Sequence, residues 1–154
     1  LPQPLAYLNT RMLQAHDLWH ITGGYETTSL HEIAISAFQM AQFGHNYSAQ
    51  FLSITAVLGA NAPAPAYSVL MDTITSAWVH GRQSPALILI PWEDVWHQPV
   101  ETIRETYGLS TYDSPHPAAL IERGQAVTQK IEAVTGFFQR LGRSLSRAFQ
   151  SKAA

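Results

Sequence analysis

The 154-residue chain contains no cysteine. A disulfide framework, a thiolate metal site and a cysteine nucleophile are therefore excluded. Charge is scarce too. Asp, Glu, Lys and Arg make up 13% of the residues, about half the roughly 25% usual in soluble domains. Hydrophobic residues account for 46%. A chain with so little polar surface is expected to oligomerise, to touch a membrane, or both. Long apolar runs are missing. The greasiest stretch, Ala86-Leu87-Ile88-Leu89-Ile90, falls far short of the roughly 18 residues of a spanning helix. Basic residues are rare through most of the chain. Leu1 to Tyr112 holds three of them (Arg11, Arg82, Arg104) against eight acidic residues, whereas from Asp113 onward six basic residues face three acidic ones. An acidic body argues against nucleic-acid binding, which needs a basic patch. The first residue is Leu1 rather than methionine, so the native start is expected upstream, together with any targeting peptide.

The pattern that remains is helical. Leu5 to Ile21 reads as a helix stopped by Gly23-Gly24, and Leu30 to Phe43 as a second one ended by Gly44; glycine suits a helix C-terminus. Tyr47 to Leu58 is a third, ending before Asn61-Ala62-Pro63-Ala64-Pro65, which reads as a turn. Ala66 to Val79 is a fourth, closed by Gly81. Ala86 to Ile90 is either a short strand or a buried helix, and five apolar residues do not decide it. Short helices follow over Trp92 to His97 and from Pro99 to Tyr107-Gly108, the latter with proline at N1. The expected fold is all-α: a compact multi-helix single domain over residues 1–112, then over 113–154 a linker at Ser114-Pro115-His116-Pro117 and an amphipathic basic C-terminal helix.

The chemistry concentrates in His16-Asp17-Leu18-Trp19-His20, followed eleven residues later by Glu32. On a helix His16 and His20 are i and i+4, so both imidazoles leave one face about a turn apart. Asp17 flanks that face and Glu32 can fold back over it. Two imidazoles and two carboxylates form an N/O ligand set for a first-row divalent metal. Zinc, iron, cobalt and manganese all suit these donors, and the residues do not choose among them. A competing reading exists for Glu32. Ser29-Leu30-His31-Glu32 is also a capping box, with Ser29 as N-cap and Glu32 reaching back from N3. A glutamate used that way leaves Glu26, in the preceding loop, as the alternative ligand. The pattern also comes near the zincin helix H-E-x-x-H, with Asp17 one methylene shorter than its glutamate, and near the His-Asp dyad of metal phosphohydrolases, although no histidine precedes position 16. His45, His80 and His97 each lie near a proposed helix end and read as structural.

The spaced motif H-D-x-x-H-x11-E resembles the signature of the fourth Coq protein family of ubiquinone biosynthesis. Its context agrees: Thr22-Gly23 after the first helix, Glu32-Ile33-Ala34 opening the next, Ala77-Trp78-Val79-His80-Gly81, Pro91-Trp92-Glu93, and Val100-Glu101-Thr102-Ile103-Arg104-Glu105 before Tyr107-Gly108-Leu109. The likeness runs from about Leu8 to Tyr112. It implies an all-helical, often dimeric protein on a membrane, binding a long isoprenoid lipid near a metal held by His16, Asp17, His20 and Glu32. It implies a part in assembling the other quinone-biosynthesis proteins, or in oxidative decarboxylation at C1 of a prenylated aromatic ring. The implied place is peripheral membrane: the matrix side of the mitochondrial inner membrane in a eukaryote, the cytoplasm or membrane in a bacterium. Two positions depart from the pattern. His31 stands where the family often has glycine, and Ser36 where it often has lysine.

Two stretches bear on lipid. Phe137, Phe138, Leu141, Leu145, Ala148 and Phe149 project onto one helical face, with Arg140, Arg143 and Arg147 opposite. That separation suits a helix in a membrane interface, or one packing on the body or on a second subunit. Ile33, Phe38, Met40, Phe51, Leu52 and Ile54 are candidates to line an isoprenoid tunnel, although stripes at helical spacing are usually core. Two alternatives stand beside a quinone-biosynthesis role: an isoprenoid-binding scaffold with a structural metal, and a metal-dependent hydrolase.

Overall fold

The helical periodicity of the sequence is realised in the computed structural model, which describes residues 3–117. Six α-helices run in order: α1 (Gln3–Gly23), α2 (Ser29–Phe43), α3 (Asn46–Gly59), α4 (Ala64–Gln83), α5 (Trp92–Val95) and α6 (Val100–Tyr107), with a 3-10 turn at Leu87–Leu89 between α4 and α5. No strand occurs among the described residues, so the all-α expectation holds. The C-terminal amphipathic helix expected from the sequence lies outside the described residues. No described helix is long and apolar enough to cross a membrane.

Helix α2 is the centre of the packing. Its buried residues Ala34, Ile35, Ala37, Phe38 and Ala41 form one broad face, packed mainly on α4 and α3. The seam with α4 is the most extensive in the fold and is lined by small residues. At Gly81 of α4 a Cβ would meet the Phe38 carbonyl oxygen at 2.7 Å and the Ala41 Cβ at 2.9 Å, so only glycine allows this approach. Helix α1 contributes Met12, Ala15 and Trp19 at helical spacing. The fully buried Trp19 meets Phe38 and Phe43 edge to face, with centroids 6.2 and 6.1 Å away.

Long-range polar ties fix the helix ends. Gly24, in the left-handed region at φ 72°, turns the chain after α1. The Arg104 guanidinium of α6 donates to the Thr22 and Ile21 carbonyls at 2.9 and 2.8 Å, satisfying acceptors that a helix C-terminus leaves open. Gln42 donates to the Gly81 carbonyl at 2.8 Å and accepts from the Leu87 amide at 3.0 Å. Arg11 pairs with Glu93 and donates to the Ile90 carbonyl, joining α1 to the start of α5.

Several boundaries differ from expectation. Helix α4 begins inside the stretch read as a turn, at Ala64 with Pro65 in its first turn, where proline's missing amide costs nothing. It runs through Gly81 to Gln83, because tight packing requires a glycine there. Ala86–Ile90 is neither strand nor α-helix but flanks the 3-10 turn. Helix α5 stops at Val95, short of His97, and Pro99 is the N-cap of α6 rather than N1. The linker candidate is non-helical as read, yet His116 lies 3.3 Å from Asp72 of α4. Helix α3 buries only Ser48 and Leu52 and leaves Tyr47, Ile54, Val57 and Leu58 more than half exposed.

Candidate metal centre

Helix α1 presents His16 and His20 from one face, and the first turn of α2 brings Glu32 over them. The two Nε2 atoms stand 3.1 Å apart. The Glu32 carboxylate reaches His16 at 3.6 Å and His20 at 3.3 Å. Their ligand atoms all lie within 4.8 Å of one another. Tetrahedral metal sites with bonds of about 2.0–2.2 Å set neighbouring ligand atoms roughly 3.3–3.6 Å apart, close to what is observed. The histidine orientation also suits a metal. His20 Nδ1 lies 3.2 Å from the Tyr25 carbonyl oxygen, which can only accept, so Nδ1 carries the proton and the Nε2 lone pair faces His16 and Glu32. Two imidazole nitrogens and a carboxylate this close repel unless a proton or cation lies among them. The residues present therefore fit a divalent metal.

Glu32 does not serve as a helix cap. The N-cap of α2 is Thr28, whose side chain accepts from the His31 amide at 3.2 Å. This shifts the start by one residue from the expected Ser29 and leaves Glu32 beyond the capping-box position, its carboxylate free to face the histidines. Asp17 and Glu26 are exposed and lie outside the convergent group.

His16 and Glu32 line a cavity of about 310 Å³ together with Met12, Leu13, Ser36, Gln39, Tyr47 and Phe51. Its polar groups come from α1 and α2; Met12, Leu13, Tyr47 and Phe51 supply the apolar wall. Of the expected tunnel residues only Phe51 lines it. Phe38 and Leu52 are core, Ile33 and Met40 pack against the core, and Ile54 is exposed. Ser36 donates to the Glu32 carbonyl at 2.9 Å. His31 is buried and accepts from the Glu26 amide at 2.8 Å through Nδ1. Burial holds its pKa below the ordinary histidine value, His20 acts in the same sense, and Glu26 opposes both.

His80 and His45 take structural positions. His80 accepts or donates between the Tyr25 hydroxyl, 2.7 Å away, and Ser110, and burial lowers its pKa against the raising effect of Ser110. His45 is the N-cap of α3 and accepts from the Ser48 amide. His97 is exposed beyond α5.

The model of the coenzyme Q (ubiquinone) biosynthesis protein Coq4 family matches residues 2–113. The chain belongs to the Coq4 family. Curated relatives named "Ubiquinone biosynthesis protein COQ4 homolog, mitochondrial" include one from Rattus norvegicus, 30% identical over 110 residues, or 70% of this chain and 40% of the relative. Others are from Mus musculus, 29% identical with the same coverage, and Drosophila ananassae, 30% identical over 108 residues, covering 69% and 39%. The chain thus spans about 40% of the length of these relatives.

Within this Coq4 segment, sequence reasoning missed Met12, Leu13, Gln39 and Tyr47, and singled out Ser36 only as a departure from the family pattern. The signal was available in part. Met12 is one turn before His16, Ser36 and Gln39 lie four and seven residues after Glu32, and Tyr47 lies four before Phe51. Extending each ligand-bearing face along its helix finds all but Tyr47; that residue comes from α3.

Proposed function

We propose that this Coq4 chain acts in quinone biosynthesis as a divalent-metal protein at a membrane surface, with His16, His20 and Glu32 as ligands and Asp17, next to His16, available as a further one. The observation that carries the reading is the convergence of two imidazoles and a carboxylate at the edge of an apolar-walled cavity. Three protein ligands leave a position open, which favours a working metal over a purely structural one. Zinc is the first choice, with iron, cobalt and manganese compatible. When bound, such a metal supplies Lewis-acid polarisation of a ring carboxylate or oxygen. The chain's own residues do the rest: Glu32 accepts or returns a proton beside the ring, and Met12, Leu13, Tyr47 and Phe51 offer it an apolar wall.

The ligand proposed is a prenylated aromatic quinone precursor, head group toward His16 and Glu32. Tyr47 and Phe51 continue at helical spacing into exposed Ile54 and Leu58 along α3, an apolar path for an isoprenoid tail. The same exposed face supports peripheral membrane contact or homodimerisation, and the relatives' names support a mitochondrial setting where the source is eukaryotic. Assembly with other quinone-biosynthesis proteins, or oxidative decarboxylation of the ring, is the role proposed. Native mass spectrometry with elemental analysis tests it. About one metal per chain and a retained isoprenoid are expected; metal-free protein that takes up neither zinc, iron, cobalt nor manganese on dialysis sinks the reading.

A further inference from the structure

His20 is oriented by a backbone carbonyl, but His16 is not. Its Nδ1 meets the buried carboxamide of Gln39 at 2.7 Å, through the atom standing as Nε2. The other end of that amide, Oε1, lies 3.0 Å from Ser48 Oγ. Ser48 Oγ lies 2.8 Å from His45 Nδ1, and His45 Nε2 lies 3.2 Å from Asn9 Oδ1. Five side chains thus form one chain from α1 through α2 and α3 back to α1. Gln39, Ser48 and His45 are all buried, where an unpaired polar group is costly.

The direction of the chain is set at its far end. The Ser48 backbone amide points at His45 Nδ1 as the N-cap of α3, with N···N 3.4 Å. An amide N–H can only donate, so His45 Nδ1 is an acceptor and Nε2 carries the hydrogen toward Asn9 Oδ1. Ser48 Oγ then donates its one hydrogen to His45 Nδ1 and must accept from Gln39. A carboxamide turned by 180° keeps every heavy-atom distance, so Gln39 Nε2 can face Ser48 and Oε1 can face His16. Gln39 Oε1 then accepts from His16 Nδ1–H, and the His16 Nε2 lone pair is left for a metal.

We propose that Gln39 is a positioning residue for the metal site: through Ser48, the N-cap of α3 fixes the tautomer in which His16 offers Nε2 as a ligand. This rests on His16, His20 and Glu32 holding a metal. Hydrogen-bond partners of metal-binding histidines are typically worth 10–100-fold in metal affinity.

The test uses the full chain and zinc alone, with Kd from chelator competition and the His16 tautomer from ring-nitrogen NMR. The Gln39→Leu variant should bind zinc about 10–100-fold more weakly, and His16 should lose its preference for Nδ1–H. The Gln39→Glu variant keeps an acceptor for His16 Nδ1–H but offers Ser48 Oγ no donor, so it should hold His16 in the Nδ1–H form and recover zinc binding relative to Gln39→Leu while loosening the tie to α3. Should Gln39→Leu fail to fold, the wild-type chain still decides: metal-free His16 protonated at Nδ1 supports the direction, and His16 protonated at Nε2 overturns it. Wild-type affinity in a folded Gln39→Leu variant also overturns it while leaving the metal site intact. A wild-type chain that takes up no zinc removes the metal site and this proposal together.

Discussion

Replacing Gly81 by alanine tests the seam on which the site is built. The added Cβ would stand 2.7 Å from the Phe38 carbonyl oxygen, 2.9 Å from the Ala41 Cβ and 3.1 Å from the Phe38 Cα. Two of these three atoms are backbone, so no side-chain rotation relieves them, and α2 and α4 must separate. Overpacking of this kind costs about 1–3 kcal/mol. Alanine in a helix interior recovers about 1 kcal/mol over glycine. Because backbone must move, the upper end applies and the net loss is about 2 kcal/mol. That corresponds to a fall in Tm of about 6–10 °C for a domain of this size. Gly59→Ala is the control. Its Cβ would meet Leu70 Cδ2 at 2.5 Å, the end of a flexible side chain, so the change should stay within about 1 kcal/mol. Thermal melts by circular dichroism on both variants provide the measurement. An unchanged or higher Tm for Gly81→Ala would refute the reasoning, since helix propensity would then outweigh any clash. Zinc titration of the same variant extends the test, because α2 carries both Glu32 and Gln39.

Three further outcomes follow from the site and its surroundings. His16→Ala and His20→Ala should each lose most bound metal by plasma mass spectrometry while keeping the wild-type far-ultraviolet spectrum, since Met12, Ala15 and Trp19 bury the helix without them. Glu32→Gln should weaken zinc binding by at least about tenfold with little effect on the apo Tm, because Thr28 rather than Glu32 caps α2; unchanged affinity moves the carboxylate role to Asp17 or Glu26. Lowering pH should destabilise the fold through His80, whose pKa burial holds below the ordinary histidine value. The unfolded chain takes up that proton near pH 6.5 and the folded chain only at lower pH, so the stabilisation is complete above about 6.5 and declines below it. His45 acts in the same sense. The urea midpoint should therefore fall between pH 7.5 and 5.5, and His80→Gln should flatten that fall; an unaltered slope excludes His80.

The helices were legible because their signals are local. Gly44 and Gly108 end α2 and α6 as read. Gly81 misled because its purpose lies on another helix: glycine inside a pattern signals a stop locally, and only the α2–α4 seam reveals the packing need. The same division runs through the site. His16 and His20 share a face by periodicity alone, so their pairing could be read directly. Spacing alone puts Gln39 on the Glu32 face, but not its hydrogen bonds to His16 and Ser48, which depend on how α1 and α3 pack against α2.

The register of α2 decides what Glu32 can do, and it turns on one residue. With Ser29 as N-cap, Glu32 would occupy N3 and fold back on the chain entering the helix. With Thr28 as N-cap, N3 falls on His31. His31 then performs a version of the backward reach, accepting the Glu26 amide through Nδ1 at 2.8 Å. That bond holds the loop after Tyr25, the residue whose carbonyl orients His20. Glycine at position 31, common in the resembling pattern, has no side chain to make it. The departure at His31 therefore does not disturb the ligand set in this chain. It takes over the loop-fixing work that the capping-box reading had given to Glu32, and leaves the Glu32 carboxylate turned toward the two imidazoles.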